Sequence, residues 1–112
     1  MNFDGKTIIN SMYSDTAKRS FEILQSEIEE FQNSLDDEHE ILFLFTSFSN
    51  NSAMLVKEIS YRNPNILMFS GIIDNEKATL VQNMSQLNFV IRAVTKTNPE
   101  KKRIPIGFTP PI

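Results

Sequence analysis

Between residues 40 and 83 the chain alternates short apolar runs with turn sequences, and this alternation limits the fold more than any other feature. The runs are six to ten residues long and rich in β-branched and aromatic residues, which is typical of strands. They are Glu40–Phe48, Ala53–Arg62, Ile66–Ile73 and Ala78–Asn83. The segments between them carry Asn, Ser, Pro and Asp and are short, so consecutive strands are expected to pair in hairpins. The sequence therefore predicts a four-stranded antiparallel sheet.

A helix is predicted before this sheet, from Asp15 to Ser34. Its apolar residues recur at three- and four-residue spacing, which places them on one stripe of a helix. They are Ala17, Phe21, Leu24, Ile28, Phe31 and Leu35. The acidic run that begins at Asp36 would oppose the negative end of the helix, so the helix is expected to end before it. The stripe is expected to pack in the core, although its regular spacing also suits a helix that packs against its own copy.

A second helix is predicted from Gln86 to Lys96, with Ser85 as its N-cap. Its apolar residues point nearly all round the cylinder, which is typical of a buried helix. Asn88 and Arg92 are polar exceptions that would lie one turn apart on the same side. Such groups need partners when they are buried.

The segment after this helix contains four of the five prolines and is expected to be extended. The prediction is thus an α+β fold with an N-terminal helix, a four-stranded antiparallel sheet, a C-terminal helix and an extended tail. The chain is long enough for one domain, residues 1–112. Residues 1–14 are expected to form a loose arm, and residues 97–112 form the tail.

Composition makes several classes of partner improbable. The net charge is −3, and a protein that binds a DNA or RNA polymer usually needs a broad basic face. No run approaches the roughly 18 apolar residues needed to span a bilayer, so no membrane contact is expected. The first ten residues, MNFDGKTIIN, lack a basic segment and a long apolar run, and are not expected to be a signal peptide.

Catalytic and metal-binding patterns are not found in the sequence. The chain has no cysteine, and its one histidine, His39, lies in the acidic segment after the first helix. The spacing of the nearby carboxylates matches no calcium loop and no HExxH motif. We therefore expect no enzyme activity, no metal site and no cofactor.

The basic cluster Lys101–Arg103 is the best candidate for ligand binding. The residues after it, Ile104, Ile106 and Phe108, alternate with a period of two, so the tail can lie on the domain as an extra edge segment. Docking of the tail would fix Arg103 at the surface, where a guanidinium binds phosphate well. The alternative is that Lys101–Arg103 are a basic run in solvent that binds no ligand.

Four further residues are candidates for the same site. Phe69 and Phe108 offer rings on which a base can stack, and Asn88 has the donor and acceptor that an adenine edge requires. Gly71 interrupts a predicted strand, which often marks a bulge or a close approach of backbone or ligand.

Several short motifs occur over roughly residues 21–108. They are SLDDEHE at Ser34–Glu40, the Tyr61-Arg62-Asn63-Pro64 turn, Phe69 with Gly71, LVQ at Leu80–Gln82, SQLNF at Ser85–Phe89 and RIPIGF at Arg103–Phe108. Through these motifs the chain resembles a small family of phage and bacterial domains, the Thoeris anti-defence sponge proteins. The family's tail usually reads Arg-Ile-Gly-Phe, and here Pro105 and Ile106 lengthen it.

The resemblance implies a function and a mechanism. Proteins of this family bind cyclic ADP-ribose signals and hold them away from a defence effector, and some also bind cyclic di- and trinucleotides. It further implies a homo-oligomer, built from dimers up to a hexamer, that acts in the cytoplasm of an infected bacterial host. The pyrophosphate would bind Arg103, together with Arg62 or Arg92 of a neighbouring subunit.

Two other functions stay open from the residues alone. One is an oligomeric adaptor or structural protein that binds a protein partner through apolar helices and the basic tail. The other is a small enzyme that cleaves phosphodiester bonds.

Overall fold

The computed structural model describes residues 16–46 and 53–111, and all statements about structure refer to these residues. In this part of the chain one helix precedes six strands, and a short 3-10 turn, Met84–Gln86, precedes the fifth strand. The elements are α1 (Ala17–Asn33), β1 (His39–Phe45), β2 (Ala53–Arg62), β3 (Ile66–Ile73), β4 (Glu76–Asn83), β5 (Phe89–Thr95) and β6 (Gly107–Thr109). The α+β class is confirmed.

The strands form one sheet in the order β4-β3-β2-β1-β5, in which neighbouring strands are antiparallel. Among the described residues, β1 pairs with β2 at two positions, Phe43 with Met54 and Leu44 with Ala53. β6 then pairs in parallel with the later part of β2, from Glu58 to Ser60. The start of β1 therefore separates from β2, and the C-terminal tail follows β2 where β1 has left it.

Helix α1 packs against β2 and β3 through the predicted stripe. Ala17, Phe21 and Ile28 are buried, and the remaining members of the stripe are partly buried against the same core. The helix begins after Thr16 and ends at Asn33, close to the predicted bounds. The prediction of a core-packed amphipathic helix is confirmed.

Four phenylalanines from three parts of the sheet form the centre of the core. Phe43 and Phe45 of β1, Phe69 of β3 and Phe89 of β5 are in mutual contact, with ring centroids 5.1–6.2 Å apart. Aromatic rings at such spacing stabilise the fold by more than the burial of their surface area alone would. The heavy use of phenylalanine thus joins β1, β3 and β5 into one core.

A β-bulge in β2 keeps the buried face of that strand continuous. The pairing of β2 with β3 shifts between Val56 and Glu58, so Lys57 is the extra residue. Val56 and Ile59 can then both face the core, although they are three residues apart. Gly71 lies opposite Val56, and a β-carbon there would overlap the backbone oxygen of Leu55. The expectation that Gly71 marks a close approach is confirmed, and the approaching group is backbone.

The predicted C-terminal helix and the count of four strands are both wrong. Residues Phe89–Thr95 form strand β5, which pairs along its whole length with β1. A seven-residue run that would place apolar residues all round a helix would, as a strand, place them on both faces of a sheet. Its pattern therefore does not distinguish the two. Here Phe89 and Ile91 face the core, while Val90 and Arg92 alternate with them on the exposed side. The tail supplies the sixth strand, β6.

The hairpin between β3 and β4 agrees with its turn sequence. Asp74 and Asn75 join β3 to β4 with φ values of 50° and 66°. Asp and Asn are the residues that tolerate such angles best after glycine, and two-residue hairpin turns require them. The predicted loose arm over residues 1–14 and the predicted turn over 49–52 lie outside the described residues. No helix in the described part of the chain is long and apolar enough to cross a membrane.

Candidate anion-binding site

A cavity of about 320 Å³ lies where β1 separates from β2. Glu40 and Ile41 of β1 form one side, and the β2 segment from Leu55 to Lys57 forms another. The tail closes the space, because residues 101–106 run across it before the chain enters β6. The volume is at the lower end of the roughly 300–1,000 Å³ found for ligand pockets.

The cavity wall is strongly cationic, although the whole chain is acidic. Five basic residues line it, and they come from the β2 bulge, the end of β5 and the tail: Lys57, Lys96, Lys101, Lys102 and Arg103. Glu40 is the one carboxylate among the described lining residues. The wall thus carries a formal excess of four positive charges, which favours an anionic ligand.

Lys96 is the most unusual of these cations because it is buried. Its side chain follows β5 directly, and the residue is only 9% exposed. Its ammonium donates to the backbone oxygen of Lys101 at 2.9 Å, which uses one of its three donors. Within residues 16–46 and 53–111 the one ion pair at 4.0 Å or less joins His39 to Asp36. No carboxylate oxygen of these residues therefore lies that close to the ammonium of Lys96. A buried charge without a counter-charge is unfavourable, and a bound anion would compensate it.

The backbone around Lys96 is fixed by the turn after α1. The amide of Lys96 donates to the backbone oxygen of Glu38 at 2.9 Å, which extends the pairing of β5 with β1 by one residue. The backbone of Lys96 is therefore held at the edge of the sheet, beside the cavity that the residue lines.

Arg103 is bound to the protein backbone on the same wall. One guanidinium nitrogen donates to the backbone oxygens of Asp36 at 2.9 Å and His39 at 2.7 Å, and the other terminal nitrogen donates to that of Gln32 at 3.4 Å. The oxygen of Gln32 belongs to the last turn of α1, where unpaired carbonyls and the helix dipole favour a cation. Arg103 thus joins the tail to the end of α1.

Gln32 makes a second connection between α1 and the tail. It is buried, and its side-chain oxygen accepts from the amide of Ile106 at 3.1 Å. The tail is therefore attached at Arg103 and Ile106 before it pairs with β2.

Of the predicted site residues, Arg103 and Ile104 line the cavity. Ile104 is 75% exposed. Phe108 lies further along the tail on β6, half-buried against Phe21 with an edge-to-face contact at 5.9 Å. Phe69 is fully buried in the aromatic core. Gly71 lines a shallower depression of the sheet, together with Lys77 and other residues of β2, β3 and β4.

Asn88, Arg62 and Arg92 lie away from the cavity of their own chain. The backbone oxygen of Asn88 accepts from Thr46 at the end of β1, whereas Arg103 binds His39 at its beginning. A seven-residue strand separates these points by roughly 20 Å. Arg92 is exposed on β5, and Arg62 is exposed at the end of β2, where it donates to its neighbour's backbone. A single chain therefore does not bring these three residues to Arg103.

The acidic segment after α1 forms a compact turn rather than a cluster of free carboxylates. Asp36 accepts from the amide of Glu38 at 2.9 Å and lies 2.6 Å from the Nδ1 atom of His39. These hydrogen bonds, with that of His39 the larger, lower the pKa of the Asp36 carboxyl below its ordinary value of 3.8. The same turn presents to Arg103 the backbone oxygens of Asp36 and His39.

Sequence reasoning missed Lys57, Lys96, Gln32 and Glu40 as members of the site. Lys57 carries a readable signal, because it interrupts the alternation of buried residues in β2 where the bulge lies. Lys96 carries none, since a lysine at the end of an apolar run is usually solvated.

One protein family matches most of the chain. The chain matches, over residues 4–109, a family of unknown function, DUF6173. The chain belongs to this DUF6173 family. No curated protein and no solved structure matches the chain. The DUF6173 match covers α1, all six strands and the cationic cavity, so the site lies within the family's domain.

Proposed function

We propose that this DUF6173 protein binds and sequesters a cyclic nucleotide signal of the cyclic ADP-ribose type without cleaving it. In this proposal it acts as a phage anti-defence protein in the cytoplasm of the infected bacterial host. Cyclic di- and trinucleotides are further candidate ligands. The sequence resemblance to Thoeris sponge proteins suggested the ligand class, and the cationic cavity supplies a place for its phosphates.

One observation carries the proposal: Lys96 is a buried cation in a cavity whose wall is cationic. The ammonium has one backbone partner, and no carboxylate among the described residues neutralises it. A phosphate in the cavity would accept from its remaining donors and replace the missing counter-charge. Lys57, Lys101 and Lys102 would add attraction from the rim.

Sequestration requires affinity rather than catalysis. To compete with the effector for the signal, the protein needs a dissociation constant near nanomolar, which corresponds to a binding free energy of about −12 kcal/mol. The lining residues in the described part of the chain provide ammonium groups, a guanidinium, amides, one carboxylate and the hydroxyl of Thr97, and they include no Cys, His or Ser. This set suits the binding of an anion, and we propose that the ligand is released unchanged.

A neighbouring subunit would complete the site in this proposal. The cavity of one chain is small, and Asn88, Arg62 and Arg92 face elsewhere. In a homo-oligomer they would reach the ligand from the adjacent copy, with Asn88 reading the base and the arginines sharing the phosphates.

A thermal-shift titration followed by mass spectrometry tests this function. Cyclic ADP-ribose isomers and cyclic oligonucleotides are added separately to the purified protein, and one of them is expected to raise the melting temperature. A ligand present at 100 times its dissociation constant stabilises the folded state by about 2.7 kcal/mol. Heat denaturation should then return that ligand with its mass unchanged. A shifted mass would indicate an enzyme, and the absence of any shift in melting temperature would contradict the proposal.

An adaptor that binds a protein partner is the second candidate, and the sheet edges favour it. β4 and β5 are the outer strands of the described sheet, and each exposes a valine, Val81 at 59% and Val90 at 49%. Exposed edge strands are a common site for pairing with another chain. Replacement of Val90 by Lys would weaken such pairing, and an adaptor would then lose its partner while nucleotide binding stayed the same.

A further inference from the structure

The tail is attached at several points around the cavity, and its attachment has a consequence for binding. Arg103 donates to three backbone oxygens, Ile106 donates to the side chain of Gln32, and β6 pairs with β2. Phe108 adds an aromatic contact with Phe21 of α1. Between the ends of this segment the tail forms one wall of the cavity.

We infer that Arg103 is a positioning residue, which holds the tail against α1 so that the tail lysines face the ligand. This inference rests on the proposed function and assigns to Arg103 a different role from that of a phosphate ligand. Three hydrogen bonds from its two terminal nitrogens, to the backbone oxygens of Gln32, Asp36 and His39, fix the guanidinium on the protein. The ligand's negative charge is met instead by lysine ammonium groups.

The geometry of the donors supports this division of roles. A guanidinium presents a planar fork of five N–H groups, and here the fork spans the last turn of α1 and the turn that follows it. Lys101 and Lys102 precede Arg103 directly, so they can reach the cavity only while the tail stays in place. Lys96 depends on the same segment, because its ammonium bonds to the backbone oxygen of Lys101.

Regulation of the site follows from this arrangement. Ligand affinity is set by how firmly the tail is attached, and a bound anion in turn stabilises the attached tail. The tail and α1 are therefore expected to become more protected from hydrogen exchange when ligand binds.

An engineered disulfide separates positioning from direct contact. Ser60 of β2 and Thr109 of β6 are register partners, so their α-carbons lie about 4.8 Å apart, within the span that a disulfide bridges. The chain has no cysteine of its own, so the pair Ser60→Cys and Thr109→Cys forms one defined bond. This bond attaches the tail without using Arg103.

The experiment measures the affinity for cyclic ADP-ribose by calorimetry in wild type, Arg103→Ala and Arg103→Lys, each with and without the cysteine pair. Both Arg103 variants are expected to bind at least tenfold more weakly, because a lysine keeps the charge but cannot span three oxygens. The oxidised disulfide is expected to recover most of this loss, and the reduced form is not. Arg19→Ala, an exposed arginine on α1 that has no part in the proposed site, is the control and should bind as wild type does.

Each outcome decides between the roles. Loss of binding that the oxidised disulfide fails to recover would assign Arg103 to direct ligand contact and overturn the inference. Unchanged affinity in Arg103→Ala or full affinity in Arg103→Lys would overturn it as well. Circular dichroism identifies an unfolded Arg103→Ala protein, and Arg103→Lys then carries the test. If wild type does not bind, the proposed function fails and this inference fails with it.

Discussion

The ammonium nitrogen of Lys96 lies 2.9 Å from the backbone oxygen of Lys101, and this hydrogen bond connects the end of β5 to the tail. The tail in turn contacts the end of α1 through Arg103 and Gln32. The end of α1 thus meets the end of β5 and the tail, both of which lie far from it in sequence, around one cavity. The buried cation at their junction is the feature from which the proposed function is argued.

The close approach of β2 to Gly71 makes this glycine a critical residue for stability. A β-carbon at Gly71 would overlap the oxygen of Leu55 and lie 2.9 Å from the α-carbon of Val56, and backbone atoms cannot move aside easily. We expect Gly71→Ala to lower the free energy of unfolding by about 2–4 kcal/mol, as overpacking in a tight core does. Urea denaturation measures the change.

Gly107→Ala is the matched control for that substitution. A β-carbon at Gly107 would lie 3.7 Å from the oxygen of Lys57, an ordinary contact, and its φ angle is not positive. We expect Gly107→Ala to be neutral or to stabilise by up to about 1 kcal/mol, through reduced entropy of the unfolded chain. Equal losses of stability in Gly71→Ala and Gly107→Ala would contradict the described approach of β2 to β3.

Phe69 is expected to contribute to the core rather than to stack on a base within its own chain. Its side chain is fully buried and contacts three other phenylalanine rings. Phe69→Ala should therefore cost about 3–5 kcal/mol of stability. Thermal and urea unfolding measure this loss, and Ile23→Ala on the exposed side of α1 should change stability by less than about 0.5 kcal/mol. A stable Phe69→Ala protein that binds no ligand would instead favour a direct role in the site.

The turn after α1 should add a pH-dependent term to stability in acid. The hydrogen bond from His39, and then that from the amide of Glu38, lowers the pKa of Asp36 in the folded state below 3.8. A carboxyl whose pKa is lower in the folded state stabilises the fold at pH values above its unfolded-state pKa. This contribution is lost as the pH falls through its folded-state pKa. Between pH 6 and pH 2, wild type should therefore lose more stability than Asp36→Asn does.

Urea midpoints across this pH range check that expectation. Asp37→Asn is the control, because it removes the same charge one residue further along the exposed turn. It should keep the wild-type slope below pH 3.8, where Asp36 takes up its proton. Identical acid profiles for wild type and Asp36→Asn would show that the His39 contact contributes nothing.

The sequence predicted the parts of this fold whose apolar spacing fits one kind of element. The stripe from Ala17 to Leu35 has helical spacing alone, and α1 forms where it was expected. β2 and β3 were predicted at the bounds they have, because turn residues delimit them at both ends. Such agreement between local pattern and tertiary structure is expected where propensity and packing favour the same conformation.

The run from Phe89 to Thr95 was misassigned for a physical reason. It is apolar on both faces, so its period does not distinguish a buried helix from a strand. Its pairing with β1 decides the conformation, and that pairing is a long-range interaction between segments about 50 residues apart. The strand places Asn88 at one end of β1 and the tail at the other, which separates residues that the sequence suggested for one pocket.

The candidate site was predictable only in part. The basic cluster at Lys101–Arg103 and the docking of the tail as an edge segment were readable from the alternation of Ile104, Ile106 and Phe108, and the docking is confirmed. The engagement of Arg103 with three backbone oxygens depends on where α1 ends in space. Lys96 is identified only by its burial, which a local pattern does not contain.

Calorimetric titration of wild type and Lys96→Met with cyclic ADP-ribose tests the central claim most directly. Methionine keeps most of the side-chain volume and removes the buried charge, so the free protein should be at least as stable as wild type. Lys77→Met, on the exposed side of β4, is the control for loss of a lysine. The account predicts nanomolar binding by wild type and by Lys77→Met, and binding at least tenfold weaker by Lys96→Met. Equal affinity in all three proteins, or no binding by wild type, would contradict it.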